Sequence, residues 1–193
     1  MKMNDSIVDV SWLKSRLGDR DLIILDASQP RVQSNEISAY QNIRIKGARF
    51  FDLKNSFSDP SGKYPNTFPK AAQFQTASRK LGINQSSRIV VYDNLGIYTS
   101  PRVWWMFRAM GHEQVHVLDG GLAAWVGASL DVEPIVQETY NAGDFVADLN
   151  SNVIKDMAFV TSNISTQKKL LIDARSFGRF DGTAPEPREN LRS

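Results

Sequence analysis

The chain has 193 residues, 41% of them apolar, which suits one domain or one domain and part of another. Its 23 basic and 21 acidic residues give a formal charge of +2, with no basic block of the kind that marks a nucleic-acid interface and no apolar run approaching the ~18 residues of a membrane span. There is no cysteine, which excludes disulfides, zinc–thiolate sites and thiol catalysis within these residues. The opening stretch, MKMNDSIVDVSW, has no apolar centre of a secretory signal, so a cytoplasmic protein is the default expectation.

In chain order, VDVSWLKSRL (8–17) reads as a short helix that Asp9 or Ser11 can cap. LIILDA (22–27) is a continuous apolar run of strand length, the pattern of a strand buried on both faces. GARFFDL (47–53) reads as another short strand, and the Ser-, Asn-, Pro- and Gly-rich stretch 54–69 as a loop. Residues 70–81 form a helix closed by Gly82, and RIVVYD (88–93) is a third buried strand. SPRVWWMFRAMG (100–111) has a complete helix grammar, with Ser100 as N-cap, Pro101 in the first turn and Gly111 just past the end. Val103, Met106, Phe107 and Met110 fall on one stripe of it, flanked by Trp104 and Trp105, which are expected to pack against a sheet. VHVLDGG (115–121) is a strand running into a glycine turn, and GLAAWVG a helix of about two turns. The two histidines, His112 and His116, lie in GHEQVHVL; they read as a partly exposed turn histidine and a histidine at the edge of a strand. Strands alternating with helices specify an α/β fold, a parallel-rich sheet covered on both faces. Residues 128–155 are polar without a clear period and read as a linker wrapping the surface.

The pattern then restarts. VDVSWLKSRLGDRDLIILDAS (8–28) resembles KDMAFVTSNISTQKKLLIDARS (155–176): each is a helix pattern, a polar turn and an apolar strand ending in Asp-Ala. Asp26 and Asp173 are the equivalent positions. Residues 156–193 therefore read as the start of a second copy, broken off after its first strand and an arginine-bearing loop. This part is expected to be poorly packed, because its strand lacks the sheet neighbours of a whole copy.

Chemistry in such a sheet belongs beyond the carboxyl ends of the strands. In the first copy that place is the loop 94–102, NLGIYTSPR, which enters the N-terminus of the Trp-rich helix. Free backbone amides and the helix dipole there favour an anion or an anionic nucleophile. The loop carries Leu95, Ile97 and Tyr98, and the hydroxyls of Thr99 and Ser100 have no general base beside them in sequence. No catalytic role is expected of it.

The segments GARFFD, IVVYD, YTSPRVWWMFRAMGH, VLDGGLAAW and DARSFGRFDGTAPEPR resemble those of the tandem-domain sulfurtransferases of the rhodanese superfamily, and the likeness spans nearly the whole chain. The resemblance implies a rhodanese-like doubly wound parallel sheet with helices on both faces, followed by the start of a second copy. It implies a non-catalytic first domain (1–127), a linker (128–155) and an incomplete second domain (156–193), with the catalytic cysteine beyond Ser193. Counting the 67 positions from Asp26 to Asp93 onward from Asp173 puts that cysteine at about position 241. The implied reaction takes sulfur from 3-mercaptopyruvate or thiosulfate onto the cysteine as a persulfide and passes it to cyanide, a thiol or thioredoxin. No cofactor and no metal are expected.

Both donors are anions, and the resemblance assigns their binding to Arg179 of GRF and Arg188 of PEPR; a guanidinium matches a carboxylate or sulfonate edge with two parallel hydrogen bonds. The second arginine tilts the expectation towards 3-mercaptopyruvate. Asp52, which follows the Phe pair, maps to the aspartate of a proton relay proposed for some members, and its alternative reading is a structural turn cap. The relay's histidine falls in the segment KYPNTFP, where this chain has Asn66. The usual H-I-P-G-A is here Arg44-Ile45-Lys46-Gly47-Ala48: the turn loses its proline, and the two cations can add to an anion-attracting face. Two other readings compete with the enzyme: a non-catalytic rhodanese-like module that binds or regulates a partner, and, by fold analogy alone, a phosphatase with a longer cysteine loop. Nothing in the sequence shows such a loop, and the arginine spacing argues against it.

Overall fold

The computed structural model describes residues 6–30 and 39–185. The described residues divide into two compact units, one of 6–29 with 39–151 and one of residue 30 with 152–185.

The first unit is built on a five-stranded parallel sheet. In chain order its elements are β1 (Ile7–Val8), α1 (Val10–Lys14), β2 (Leu22–Asp26), β3 (Ile43–Ile45), β4 (Arg49–Phe50), α2 (Ala71–Lys80), β5 (Arg88–Tyr92), α3 (Ser100–Ala109), β6 (Val115–Leu118), α4 (Gly121–Gly127) and β7 (Val132–Pro134). The sheet order is β1-β6-β5-β2-β4, with every pair parallel. The continuous apolar runs are central strands, as their composition demands. Ile23, Leu25, Ile89 and Val91 pack on one face with α2 and α3, while Ile24, Val90 and Tyr92 pack on the other with α1 and α4. This is the period-two alternation of a sheet buried on both sides. The α3 stripe of Val103, Met106, Phe107 and Met110 is fully buried, and Trp104 and Trp105 pack at the rim of the same cluster.

Two elements differ from the expectation in kind. Ile7–Val8 is an edge strand paired with β6 rather than the start of a helix, so α1 begins later, capped by Asp9, whose carboxylate accepts the Trp12 amide at 2.7 Å. β3 and β7 form a separate antiparallel pair, too short and too far apart in sequence to leave a periodic signal.

Residues 128–151, expected within a linker, cluster with the first unit because they do structural work there. Phe145 is completely buried among Phe74, Phe107 and His112. The strap's amides also donate to carbonyls at the helix ends: Asp148 N–H to Met110 C=O at 3.0 Å, Asn150 N–H to Ala109 C=O at 2.8 Å and Gly143 N–H to Arg79 C=O at 2.9 Å. Arg44 ties the strap's first half. It is 2% exposed and pairs with Glu133 at 2.8 Å and Glu138 at 2.9 Å. The same Glu133 carboxylate accepts the Gly47 amide at 3.0 Å, so the turn that lost its proline is pinned from the strap. Arg44 therefore adds nothing to an anion-attracting face, because two carboxylates already neutralise it; Lys46 alone of the two is exposed.

Both histidines are buried: His112, expected to be partly exposed, is covered by the strap, and His116, expected at a strand edge, lies within the sheet. His112 sits between Phe107 and Phe145 with its Nε2 2.8 Å from the Ser87 carbonyl. His116 lies in the interior strand β6, its ring 5.2 Å from that of Trp12.

In the second unit α5 (Met157–Thr166) is capped by Asp156, whose carboxylate accepts the Phe159 amide at 2.8 Å, and α6 spans Phe177–Phe180. The stretch LLIDA forms no strand: Leu170, Leu171 and Ile172 are 87%, 65% and 75% exposed. It has no neighbouring strand among the described residues, in keeping with the loose packing expected there. No helix of the described residues is long and apolar enough to cross a membrane.

Removing the strap's anchor has a calculable cost. Phe145→Ala will lower the stability of the first unit by about 3–5 kcal/mol, the range for deleting a buried phenyl ring. This is read as a lower urea midpoint at unchanged slope; a loss below about 1 kcal/mol would mean that the strap is not part of the core.

Candidate functional site

The strand-end loop of the first unit is closed by its own carboxylate. Asp93, directly after β5, is 1% exposed. One oxygen accepts the Leu95 amide at 3.0 Å. The other accepts the amides of Tyr98 at 2.8 Å, Thr99 at 3.0 Å and Ser100 at 3.0 Å, and the Ser100 hydroxyl at 2.7 Å. The place where free amides and the helix dipole were expected to hold an anion thus holds one already. Ser100 is not the N-cap but the first residue of α3; Thr99 precedes it without a side-chain cap bond, because Asp93 caps the helix from the end of the sheet. The Thr99 hydroxyl donates to the Ala27 carbonyl at 2.6 Å. Both loop hydroxyls are therefore engaged in structural hydrogen bonds.

Two glycines let the loop sit so close. Gly120 and Gly121 have φ of +68° and +55°, and a Cβ on Gly121 would stand 2.3 Å from the Asp93 carbonyl oxygen. That carbonyl accepts the Leu122 amide at 3.0 Å, joining the loop to α4.

Beside it, Asp26 ends β2 almost fully buried. Burial pushes its carboxyl above the usual range, opposed by hydrogen bonds from Ser28 and Tyr92. The Tyr92 hydroxyl accepts the Ile45 amide at 3.1 Å, and burial raises its pKa too.

Asp52 lies just beyond β4. Its two oxygens accept the Asn55 side-chain amide at 3.0 Å each, and one accepts the Asn55 backbone amide at 3.1 Å. This is a turn-capping geometry. Asp52 lines a cavity of about 540 Å³ between β4 and α2, together with Phe50, Asn55, Gln73 and Lys80. Asn66 is not brought to it by a hydrogen bond; it holds φ +58°, a conformation that suits asparagine better than most side chains, and its carbonyl accepts from Arg102.

In the second unit Arg179 is the third residue of α6. Arg175 nearby pairs with Asp173 at 2.8 Å and holds that carboxyl below its ordinary range. Arg188 lies outside the described residues, so the pair of arginines expected to bind a donor is not seen together. Among the described residues no group of three or more His, Asp or Glu side chains is placed to hold a metal.

Read from the sequence, Asp93 is only a strand-end position and Arg44 only a surface cation; neither the cap on α3 nor the pairing of Arg44 with Glu133 and Glu138 is foreseen. Asp93 had a signal: an aspartate seven positions before a helix start, with a glycine in the intervening loop, is placed to turn its carboxylate back onto the helix amides.

Residues 9–128 match the model of the Rhodanese-like domain. The chain belongs to this family. It is 37% identical over 212 residues to Thiosulfate/3-mercaptopyruvate sulfurtransferase 2 of Arabidopsis thaliana, covering 98% of this chain and 62% of that protein. It is 34% identical to 3-mercaptopyruvate sulfurtransferase of Rattus norvegicus, with 96% and 65% covered. Among solved structures it superposes on SseA from Escherichia coli, described as a 3-mercaptopyruvate sulfotransferase of "Rhodanese" fold, with a TM-score of 0.84 at 31% identity, covering 97% of this chain and 71% of that one. The chain thus spans less than two thirds of the length of these two curated relatives.

Two measurements test the site's physics. Asp93→Ala, which strands buried amides, will cost about 3–5 kcal/mol of stability, and Asp93→Asn, which keeps one acceptor oxygen, will cost less. Equal, sub-kcal/mol losses in urea unfolding would contradict the capping role. For His112, burial lowers the pKa below the ordinary 6.5. The unfolded chain therefore takes up a proton before the folded one does, and stability that is complete above about pH 6.5 falls as the pH drops towards the folded-state value. Urea midpoints between pH 8 and pH 5 should show this fall, and His112→Gln should flatten it.

Proposed function

We propose that the chain is the N-terminal part of a sulfurtransferase that moves sulfane sulfur from 3-mercaptopyruvate, or from thiosulfate, to cyanide or a thiol such as that of thioredoxin. The reading is carried by identity of 34–37% over nearly the whole chain to proteins bearing those names. It is supported by the first unit's strand-end loop, which Asp93 fills and which leaves chemistry to another loop. The nucleophile is not among these residues, since there is no cysteine; the internal repeat points to about position 241. Its thiolate would attack the donor's transferable sulfur. The C–S bond of 3-mercaptopyruvate, or the S–S bond of thiosulfate, would break with its electron pair going to the departing pyruvate enolate or sulfite. The acceptor would then take the outer sulfur of the persulfide and release the thiolate.

In this reading Arg179 and Arg188 bind the donor's anionic end, and Arg188 favours a carboxylate donor. A relay through Asp52 is the weakest element. Asn66 cannot act as a base, and Asp52 is engaged by Asn55. Residence in the cytoplasm belongs to the proposal, although a relative carries "mitochondrial" in its name; fractionation decides it. The competing reading is a non-catalytic module that binds a partner, and the closed loop is compatible with both.

The coding sequence past codon 193 separates the two. A cysteine near position 241, in a short glycine-bearing loop before a helix, is the expected result; a stop codon or a loop without cysteine would leave the binding module. In the protein carrying that cysteine, Arg179→Gln should raise the KM for 3-mercaptopyruvate on the order of 10- to 100-fold. The 193-residue chain alone should form no thiocyanate from cyanide above the uncatalysed rate.

A further inference from the structure

Arg49 opens β4, and its guanidinium is held in three ways. It donates to the Leu81 carbonyl at the C-terminal end of α2. It stacks on the Tyr140 ring at 4.5 Å from the centroid. It also lies against Gly82, where a Cβ would stand 2.6 Å from Nη1, so the glycine at φ +67° makes the room. None of these contacts neutralises it, and among the described residues Arg49 has no ion pair. The nearest acidic neighbour, Glu138, is committed to Arg44 at 2.9 Å and to the Tyr140 hydroxyl at 2.7 Å. Burial lowers the guanidinium's pKa, and the Tyr140 and Glu138 charges only oppose this.

The held guanidinium borders a polar cavity of about 470 Å³ lined also by Gly82, Asn84, Thr139, Tyr140 and Asn141. Asn84 accepts the Asp144 amide through its side-chain oxygen, which leaves its Nδ2 donors uncommitted. A cap on α2 needs one of the five N–H donors of a guanidinium; the stack then fixes the plane in which the others point. A cation oriented in this way, half-buried and without an acid of its own, is what bidentate carboxylate recognition requires.

We propose that this cavity, between the end of α2 and strap residues 139–143, binds a small hydrophilic carboxylate. Arg49 grips both oxygens, and the amides of Asn84 and Asn141 with the Thr139 hydroxyl supply the remaining hydrogen bonds. The site is separate from the strand-end loop of the same unit, and it does not depend on the proposed sulfur transfer.

The test is a titration of the isotope-labelled protein with sodium acetate, and separately with sodium sulfate, at constant ionic strength kept with sodium chloride. The Arg49 Nε–H resonance and the amides of residues 139–143 are followed by NMR. Acetate should give saturable shifts confined to these groups, with half-saturation of roughly 1–10 mM, as one charge-assisted bidentate pair provides. Arg49→Lys, which keeps the charge but loses the fork, should weaken binding at least about 10-fold, with the remaining spectrum reporting that the fold is intact. Tyr140→Leu, which leaves Arg49 in place but frees its plane, should weaken it severalfold. The proposal is overturned by linear, non-saturating shifts, by undiminished acetate binding in Arg49→Lys, or by sulfate binding as tightly as acetate.

Discussion

Everything at the carboxyl end of the first unit's sheet depends on where the Asp93 carboxylate points. It takes hydrogen bonds from the loop that follows β5 and from the first turn of α3, while its backbone carbonyl takes one from α4. A single buried anion thus joins a central strand to helices on both faces of the sheet. The helix dipole makes the position favourable for negative charge, and the number of donors offsets the cost of burying it. The same features would depress the pKa of a thiol placed there. A carboxylate that caps a helix and a thiolate that does chemistry are two uses of one arrangement, decided by which acidic group the chain supplies.

A second constraint acts at the opposite ends of the strands. Helices α2 and α3 finish there, and the strap supplies donors to their last carbonyls. Its amides meet Arg79, Ala109 and Met110, and Phe145 fills the aromatic cluster between the two helices. The strap's path is set by charge: Glu133 and Glu138 converge on buried Arg44. Arg44 is the buried member of the group and the glutamates are partly exposed, so removing the acids would leave its charge uncompensated, while removing Arg44 would leave carboxylates that water can reach. Arg44-Ile45-Lys46-Gly47 is thus explained from the strap side. The arginine stands where the strap's acids need a cation, and Glu133 holds the turn that a proline would otherwise stiffen.

The sequence made the central strands and the Trp-rich helix legible because each is a local signal reinforced by burial. Apolar continuity marks LIILDA and RIVVYD, and a four-residue stripe marks α3. It did not reveal β3 with β7, where three-residue strands pair across 89 positions, as Arg44 opposite Glu133 shows. Nor did it separate the strap from a linker, since a single Phe145 in a polar stretch carries no period. The cap on α3 was misassigned to Ser100 for the same reason: local grammar favours the nearest hydroxyl, while the structure uses a carboxylate seven residues back, brought there by the strand. Asp52 was read both ways, and the Asn55 contacts display the turn-capping one.

The two copies of one local pattern make the general point sharpest. LIILDA and LLIDA have nearly the same composition and the same Asp-Ala ending, and each follows a capped helix. In the first copy Leu25 and Ala27 are wholly buried, because β4 and β5 flank β2 and helices cover both faces. In the second, Leu171 and Ile172 stand in solvent without a strand partner among the described residues. Helix α5 forms regardless, since its hydrogen bonds are internal and Asp156 caps its first turn. A parallel strand has no such autonomy: its backbone groups pair only sideways, and its apolar side chains gain nothing until neighbours arrive. What the pattern encodes is a readiness to be buried, and the sheet around it decides whether that readiness becomes structure.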